Sequence, residues 1–164
     1  MSMTGNIGQT LSRTSTIRLN GPLAEVFPLF GPVREKDWAE GFDPHVVFST
    51  TGLIDEHMVF RTRTEYPGEE SEDKTWVVSR YDPQAAFIEY TVSTSARLYW
   101  ITIRCEQDRG AKTTRAEVTY TFTALTEAGQ ALIEKAARDM FAHELKDWET
   151  AINAYLAGAQ PPHH

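Results

Sequence analysis

Cysteine is nearly absent from this chain: Cys105 stands alone in 164 residues, so no internal disulfide can form. A protein without such staples must fold by burial, and a reducing compartment is its expected home. Basic residues are also in deficit, with 16 Lys and Arg against 23 Asp and Glu and a formal charge of −7. Binding to nucleic acid needs Lys and Arg clustered on one face, which this balance argues against. No apolar run approaches the roughly 18 residues of a membrane span. The N-terminal MSMTGNIGQTLSRTST lacks the apolar segment of a secretory signal. A cytoplasmic protein without integral membrane association is expected. His45, His57 and His143 are scattered, and no HxH, HExxH or CxxC spacing occurs, so no metal is expected. Nor does a glycine-rich phosphate loop or a GxSxG elbow appear, which leaves no cofactor to expect and makes nucleotide and serine-nucleophile chemistry poor readings.

What is present is alternation. Ser15, Ile17 and Leu19 alternate with Thr14, Thr16 and Arg18 up to the turn pair Asn20-Gly21, the period of a half-buried strand. Pro22 suits the first turn of a helix, while Pro28 and Pro32 forbid a long one. Residues 22–42 therefore read as two short helices, broken near Gly31 and closed at Gly41. Strands are then expected at 46–53, 56–65, 74–81, 85–94, 97–107 and 114–124, separated by turn chemistry. Met58, Phe60 and Thr62 share one face; so do Ile88, Tyr90 and Val92; Tyr99, Ile101, Ile103 and Cys105; and Val118, Tyr120 and Phe122. One side is apolar and the other wet, as in an antiparallel sheet covered on one side. Only TWVVSRY, around Trp76, carries apolar residues on both parities and leaves its register open. Trp100 falls on the outer parity, which makes it a candidate contact for a partner such as a second copy in a homodimer; the alternative is packing over the stems of Arg61 or Arg104.

The cover comes last. Thr126 is a plausible N-cap, and Ile133, Ala137, Met140, Phe141, Leu145, Trp148, Ile152 and Tyr155 recur at helical steps until Gly158. This predicts a helix of about thirty residues, roughly 45 Å long at 1.5 Å per residue. Residues 1–158 form one expected domain, and 159–164 read as a disordered polar tail.

A strand, two short helices, six further antiparallel strands and one long C-terminal helix is an element order that resembles the SRPBCC superfamily. That superfamily includes START lipid-transfer domains, birch-pollen-allergen-like proteins and polyketide cyclases/aromatases. The segments GPVREKDW..GFDP, TWVVSRYD at 75–82 and Y.FTALTEAG at 120–129 are similar to a bacterial polyketide-cyclase-like subgroup. The resemblance implies an α+β helix-grip fold, a seven-stranded curved antiparallel sheet wrapped around the long helix. It also implies an internal cavity, with the two short helices bordering one mouth and Trp38 and Phe42 folded against that mouth.

The candidate lining follows from parity and helical phase: Met58, Phe60, Trp76, Tyr90, Tyr99, Tyr120, Met140 and Phe141, with Trp38 and Phe42 at the rim. Tyrosine hydroxyls inside an apolar wall suit a ring-containing or fatty ligand with one or two polar handles, and they equally suit an ordinary core. Glu144 is the polar anomaly, since at 100° per residue it falls inside the apolar stripe of the helix. A carboxylate there must be paired, protonated or facing a wet cavity, which makes Glu144 the candidate catalytic group. Three functions stay open: binding or transport of a small hydrophobic molecule, a cyclase/aromatase-type enzyme using the same cavity, and a co-chaperone-like or regulatory domain acting through its surface.

Overall fold

Seven antiparallel strands form one sheet in the order β1-β7-β6-β5-β4-β3-β2. They run Thr10–Leu19, His45–Phe48, Val59–Arg63, Asp73–Asp82, Phe87–Ser93, Arg97–Gln107 and Thr114–Ala124, numbered β1 to β7 in chain order. The computed structural model describes residues 10–39, 42–51, 54–63, 73–110 and 112–159. Gly41, the whole loop between β3 and β4, and the tail from residue 160 lie outside the described residues.

The expected alternation holds along the sheet. Ile17, Leu19, Phe60, Tyr90, Val92, Tyr99, Ile101, Val118, Tyr120 and Phe122 are all buried on the concave face. On the other face Thr10, Ser12 and Thr14 of β1 meet Thr123, Thr121 and Thr119 of β7 through hydroxyl–hydroxyl bonds of 3.2, 3.0 and 2.8 Å. Such cross-strand pairs tolerate water and specify register. The ambiguity around Trp76 is resolved by a register shift between Val78 and Arg80, where β4 pairs with β5. A bulge inserts one residue and inverts the parity beyond it. Trp76 and Val78 therefore face inward on one side of Ser79, and on the other Tyr81 stacks on Phe27 at 6.2 Å.

Two expected strands are shorter than their apolar patterns. In place of continuous strands over 46–53 and 56–65 stand β2, which ends at Phe48, and β3, which begins at Val59. Between them Asp55 accepts from the backbone N–H of Thr50 at 3.1 Å and of Thr51 at 3.2 Å, and from the Thr50 hydroxyl at 2.5 Å. That local bonding competes with the sheet ladder and turns the chain. His57, expected on the wet face of a strand, is exposed in a turn with φ 68°.

The base is made of α1 (Leu23–Val26), a 3-10 turn (Phe27–Phe30) and α2 (Pro32–Glu35). Proline opens both the 3-10 turn and α2, and extended Gly31 separates them. The C-terminal cover spans α3 (Glu127–Asp139), a π turn (Met140–Glu144) and α4 (Leu145–Leu156). Thr126 caps it, its hydroxyl accepting from the Gly129 N–H at 3.0 Å. The π turn departs from the uninterrupted helix expected. Ile133, Ala136, Ala137 and Met140 are buried at α-helical spacing, but the next buried residue, Leu145, comes five positions later. The Leu145 N–H bonds the Met140 carbonyl, a five-residue step. One extra residue is thus absorbed, and Leu145 and Ile152 both return to the core. Among the described residues no helix is long and apolar enough to cross a membrane.

Candidate functional site

Two adjoining chambers lie between the sheet and the C-terminal helix. The outer one, about 450 Å³, is bounded by Glu35, Trp38 and Phe42 from the base, Thr62 and Arg63 from β3, Lys74 and Trp76 from β4, and Glu144 and Trp148 from the helix. The inner one, about 180 Å³, reaches Arg97, Tyr99, Tyr120, Phe122, Ala136 and Met140. Lys74, Trp76, Glu144 and Trp148 border both chambers. A surface groove of about 540 Å³ continues past Asp147 and Ala151, and Glu144 and Trp148 line it too. These two side chains therefore stand at the junction of groove, outer chamber and inner chamber. The π turn keeps them there, because it ends at Glu144 and hands α4 its phase.

The aromatic walls are fixed by specific bonds. The Trp38 indole donates to the Leu29 carbonyl at 2.7 Å and meets Trp148 edge-on at 5.8 Å. The Trp76 indole donates to the Thr62 hydroxyl at 2.9 Å, and its ring stacks on Phe60 at 5.3 Å. Phe42 closes edge-on against Trp76 at 6.0 Å. In the inner chamber Tyr99 and Tyr120 stack at 6.1 Å, and the Arg97 guanidinium lies 4.7 Å from the centre of the Tyr99 ring.

The sequence-derived residues divide accordingly. Trp38, Phe42, Trp76 and Glu144 border the outer chamber, and Tyr99, Tyr120 and Met140 the inner one. Phe60 and Tyr90 back the wall from behind Trp76, and Met58 is fully buried. The Tyr90 hydroxyl does not present itself to a ligand, because it donates to the Phe30 carbonyl. Phe141 meets Tyr120 edge-on at 6.2 Å but lines neither chamber. Trp100, half-buried on the outer face between Thr91 and Thr121, is remote from both.

Three polar members, Lys74, Arg97 and Glu35, escaped the sequence reading, and a fourth, Thr62, was placed on the inward face but not in the lining, though signals for all four exist. Lys74 shares the inward parity of Trp76, Thr62 pairs with Lys74, Arg97 shares the parity of Tyr99, and Glu35 lies one helical turn before Trp38. Desolvation pushes the Glu35 carboxyl well above the ordinary glutamate range, and its remaining accessible surface faces the outer chamber. Desolvation also raises Glu144, where Lys74 and Arg97 pull it down and Asp139 and Asp147 push it up. Burial lifts the Tyr120 hydroxyl, reinforced by the charges of Tyr99, Glu144 and Glu35. The cavity thus offers aromatic faces, one carboxyl inclined to stay protonated and a second beside two cations.

Solved structures share this architecture at low identity. Norcoclaurine synthase from Thalictrum flavum, in complex with dopamine and hydroxybenzaldehyde, matches with a TM-score of 0.68 over 98% of this chain and 97% of its own, at 11% identity. A START superfamily protein from Mycobacterium smegmatis matches with a TM-score of 0.65 over 88% of this chain and 98% of its own, at 10% identity. Ara h 8.0201 does so at 0.61, over 92% of this chain and 100% of its own, at 12% identity. No family model and no curated protein matches. The likeness is one of fold: the helix-grip architecture that the resemblance to the SRPBCC superfamily implies.

Proposed function

We propose that the chambers bind a small, largely aromatic molecule carrying one or two polar groups. The observation that carries this reading is a pair of adjoining cavities, about 450 and 180 Å³, walled by Trp38, Phe42, Trp76 and Trp148 and provided with Glu35, Lys74 and Glu144. Ligand sites typically combine aromatic walls with a few convergent polar groups. In the same fold, the Thalictrum flavum enzyme is in complex with two ring compounds. The groove along α4 runs up to the outer chamber beside Trp38 and Trp148, whose rings meet where the two adjoin. Cys105, buried and without a partner cysteine, suits a cytoplasmic setting.

Binding is tested by titrating the protein with 2-ethylnaphthalene and following tryptophan fluorescence. The parent should saturate at one molecule per chain, and Ala136→Phe, which fills the inner chamber, should weaken binding at least fivefold. No saturable binding, or full affinity in the filled variant, contradicts the reading.

A second reading is supported by Glu35 and Glu144 facing the same chamber. Two carboxyls in unlike surroundings can divide the roles of acid and base, as a cyclase-type reaction on a folded polar chain would require. Turnover of a poly-β-carbonyl model compound that is lost in both Glu35→Gln and Glu144→Gln would favour the enzyme; equal rates in parent and variants would leave only the carrier.

A further inference from the structure

Glu35 ends α2 and faces the outer chamber, with Trp38 from its own segment and Phe42, Trp76 and Trp148 around the same space. The residue is half-buried, desolvation raises its carboxyl, and among the described residues none bonds that carboxyl. A ligand that fills the chamber displaces water from this carboxyl, and a polar group that loses water without gaining a partner is costly. A ligand that satisfies the group recovers this cost.

We propose that Glu35 anchors the ligand by donating a hydrogen bond from its carboxyl to an uncharged carbonyl oxygen, so that the cavity selects aromatic ketones, aldehydes or quinones over their hydrocarbon counterparts. The inference rests on the reading that the chambers bind an aromatic molecule. It goes further by assigning the polar handle and the residue that reads it.

The other groups around the chamber favour this choice of chemistry. Tyr90 on β5 and Tyr120 on β7 lie near enough that a charge on Glu35 would raise their hydroxyls further. Lys74 on β4 acts on Glu144 and lies 5.8 Å from the centre of the Tyr99 ring, which directs it toward the inner chamber. Asp43 and His45 pair with each other at 3.4 Å on the exposed rim, and Arg63 is exposed. Glu144, on the opposite wall, has the cations Lys74 and Arg97 to favour its ionised form. Desolvation still raises Glu144 on balance, but only at Glu35 does no charge oppose that rise, which makes Glu35 the firmer donor of the two. A hydrocarbon that filled the chamber would leave Glu35 without a partner.

The test compares 2-acetylnaphthalene with 2-ethylnaphthalene, which is similar in shape and lacks the oxygen. Tryptophan fluorescence titration at pH 6 should give the ketone about tenfold tighter binding to the parent, the worth of one net hydrogen bond. Glu35→Met, similar in length and without a donor, should abolish that preference while still binding 2-ethylnaphthalene. Glu35→Gln, which keeps a donor, should restore part of it. In the parent, the advantage should vanish as pH rises through the elevated pKa of Glu35, with the hydrocarbon's affinity unchanged; this pH series decides the matter if Glu35→Met does not fold. Equal affinities for the two probes in the parent, a preference that survives in Glu35→Met, or one that does not fall with rising pH would overturn the assignment while leaving the cavity reading intact. Failure of both probes to bind would overturn both.

Discussion

Replacing Tyr90 by Phe removes one oxygen and should loosen the floor of the site. Tyr90 is 1% exposed, and its hydroxyl donates to the carbonyl of Phe30, at the end of the 3-10 turn just before α2. No other described backbone bond reaches that carbonyl, so the variant buries an acceptor without a partner. The penalty for such a group is about 1–3 kcal/mol, and a central value near 2 is expected here. The ring itself is retained, with its edge-on contacts to Phe60 at 6.1 Å and Trp76 at 5.6 Å, so no cavity term is added. For a chain of this length, 2 kcal/mol corresponds to roughly 4–8 °C in Tm. Circular dichroism melts with urea denaturation at matched pH would measure it. Tyr81→Phe is the control, because the Tyr81 hydroxyl makes no hydrogen bond among the described residues, and it should change stability by less than about 0.5 kcal/mol. Since α2 carries Glu35 and leads into Trp38, Tyr90→Phe should also weaken ligand binding. A loss below about 0.5 kcal/mol in Tyr90→Phe would refute the view that this bond ties the base to the sheet.

Gly129→Ala should cost about 3 kcal/mol in denaturant titrations, since an added Cβ would come within 2.1 Å of the Ala96 carbonyl oxygen, the acceptor of the Leu125 N–H. Burial pushes the Cys105 thiol up to about 12, so native protein at pH 8 should resist thiol reagents and label only at its rate of opening. Labelling as fast as that of a free thiol would contradict this. Burial likewise makes folded Glu35 hold its proton more tightly than the unfolded chain does. Its contribution to stability is therefore fully present below the unfolded value near 4.5 and is lost as pH rises toward the elevated folded value. Glu35→Gln, always neutral, should match the parent at pH 4 and melt higher than the parent at pH 8; the reverse order at pH 8 would show that Glu35 is ionised and stabilised in the fold.

The sheet was legible because its signal is strictly periodic. Strands β5 to β7 alternate without interruption, and each concave-face residue named from them is buried. Errors arose where one residue is added or bonding is local. The bulge near Ser79 reverses parity midway through TWVVSRY, and no residue type marks it. The π turn rests on the backbone bond from Leu145 to Met140, whereas a fixed 100° step treats Glu144 as a core position. Asp55 shortens β2 and β3 through side-chain bonds that an apolar pattern cannot register. On β2 itself, Val46, Val47 and Phe48 are each at least 50% exposed, since an edge strand with a register shift need not bury what it carries. Parity brought Trp76, Tyr99 and Tyr120 to the chambers, but it also named Phe60 and Tyr90, which only back the wall, and Trp148 was passed over, as was most of the polar half. Lys74 and Arg97 look like ordinary surface charges until Trp76 and Tyr99 fix their faces, and Glu35 requires the position of α2 over the cavity.

The four tryptophans give the most direct test of the cavity as a ligand site. Trp38, Trp76 and Trp148 border the outer chamber, whereas Trp100 lies on the far face of the sheet. Their indole N–H resonances can be followed in ¹⁵N-labelled protein, assigned by single Trp→Phe variants, as 2-acetylnaphthalene is added. Binding in the chamber should shift the signals of Trp38, Trp76 and Trp148 along one saturable curve and leave Trp100 unmoved. A titration that moves Trp100 alone, or none of the four, would contradict the claim that this fold holds its ligand between sheet and helix.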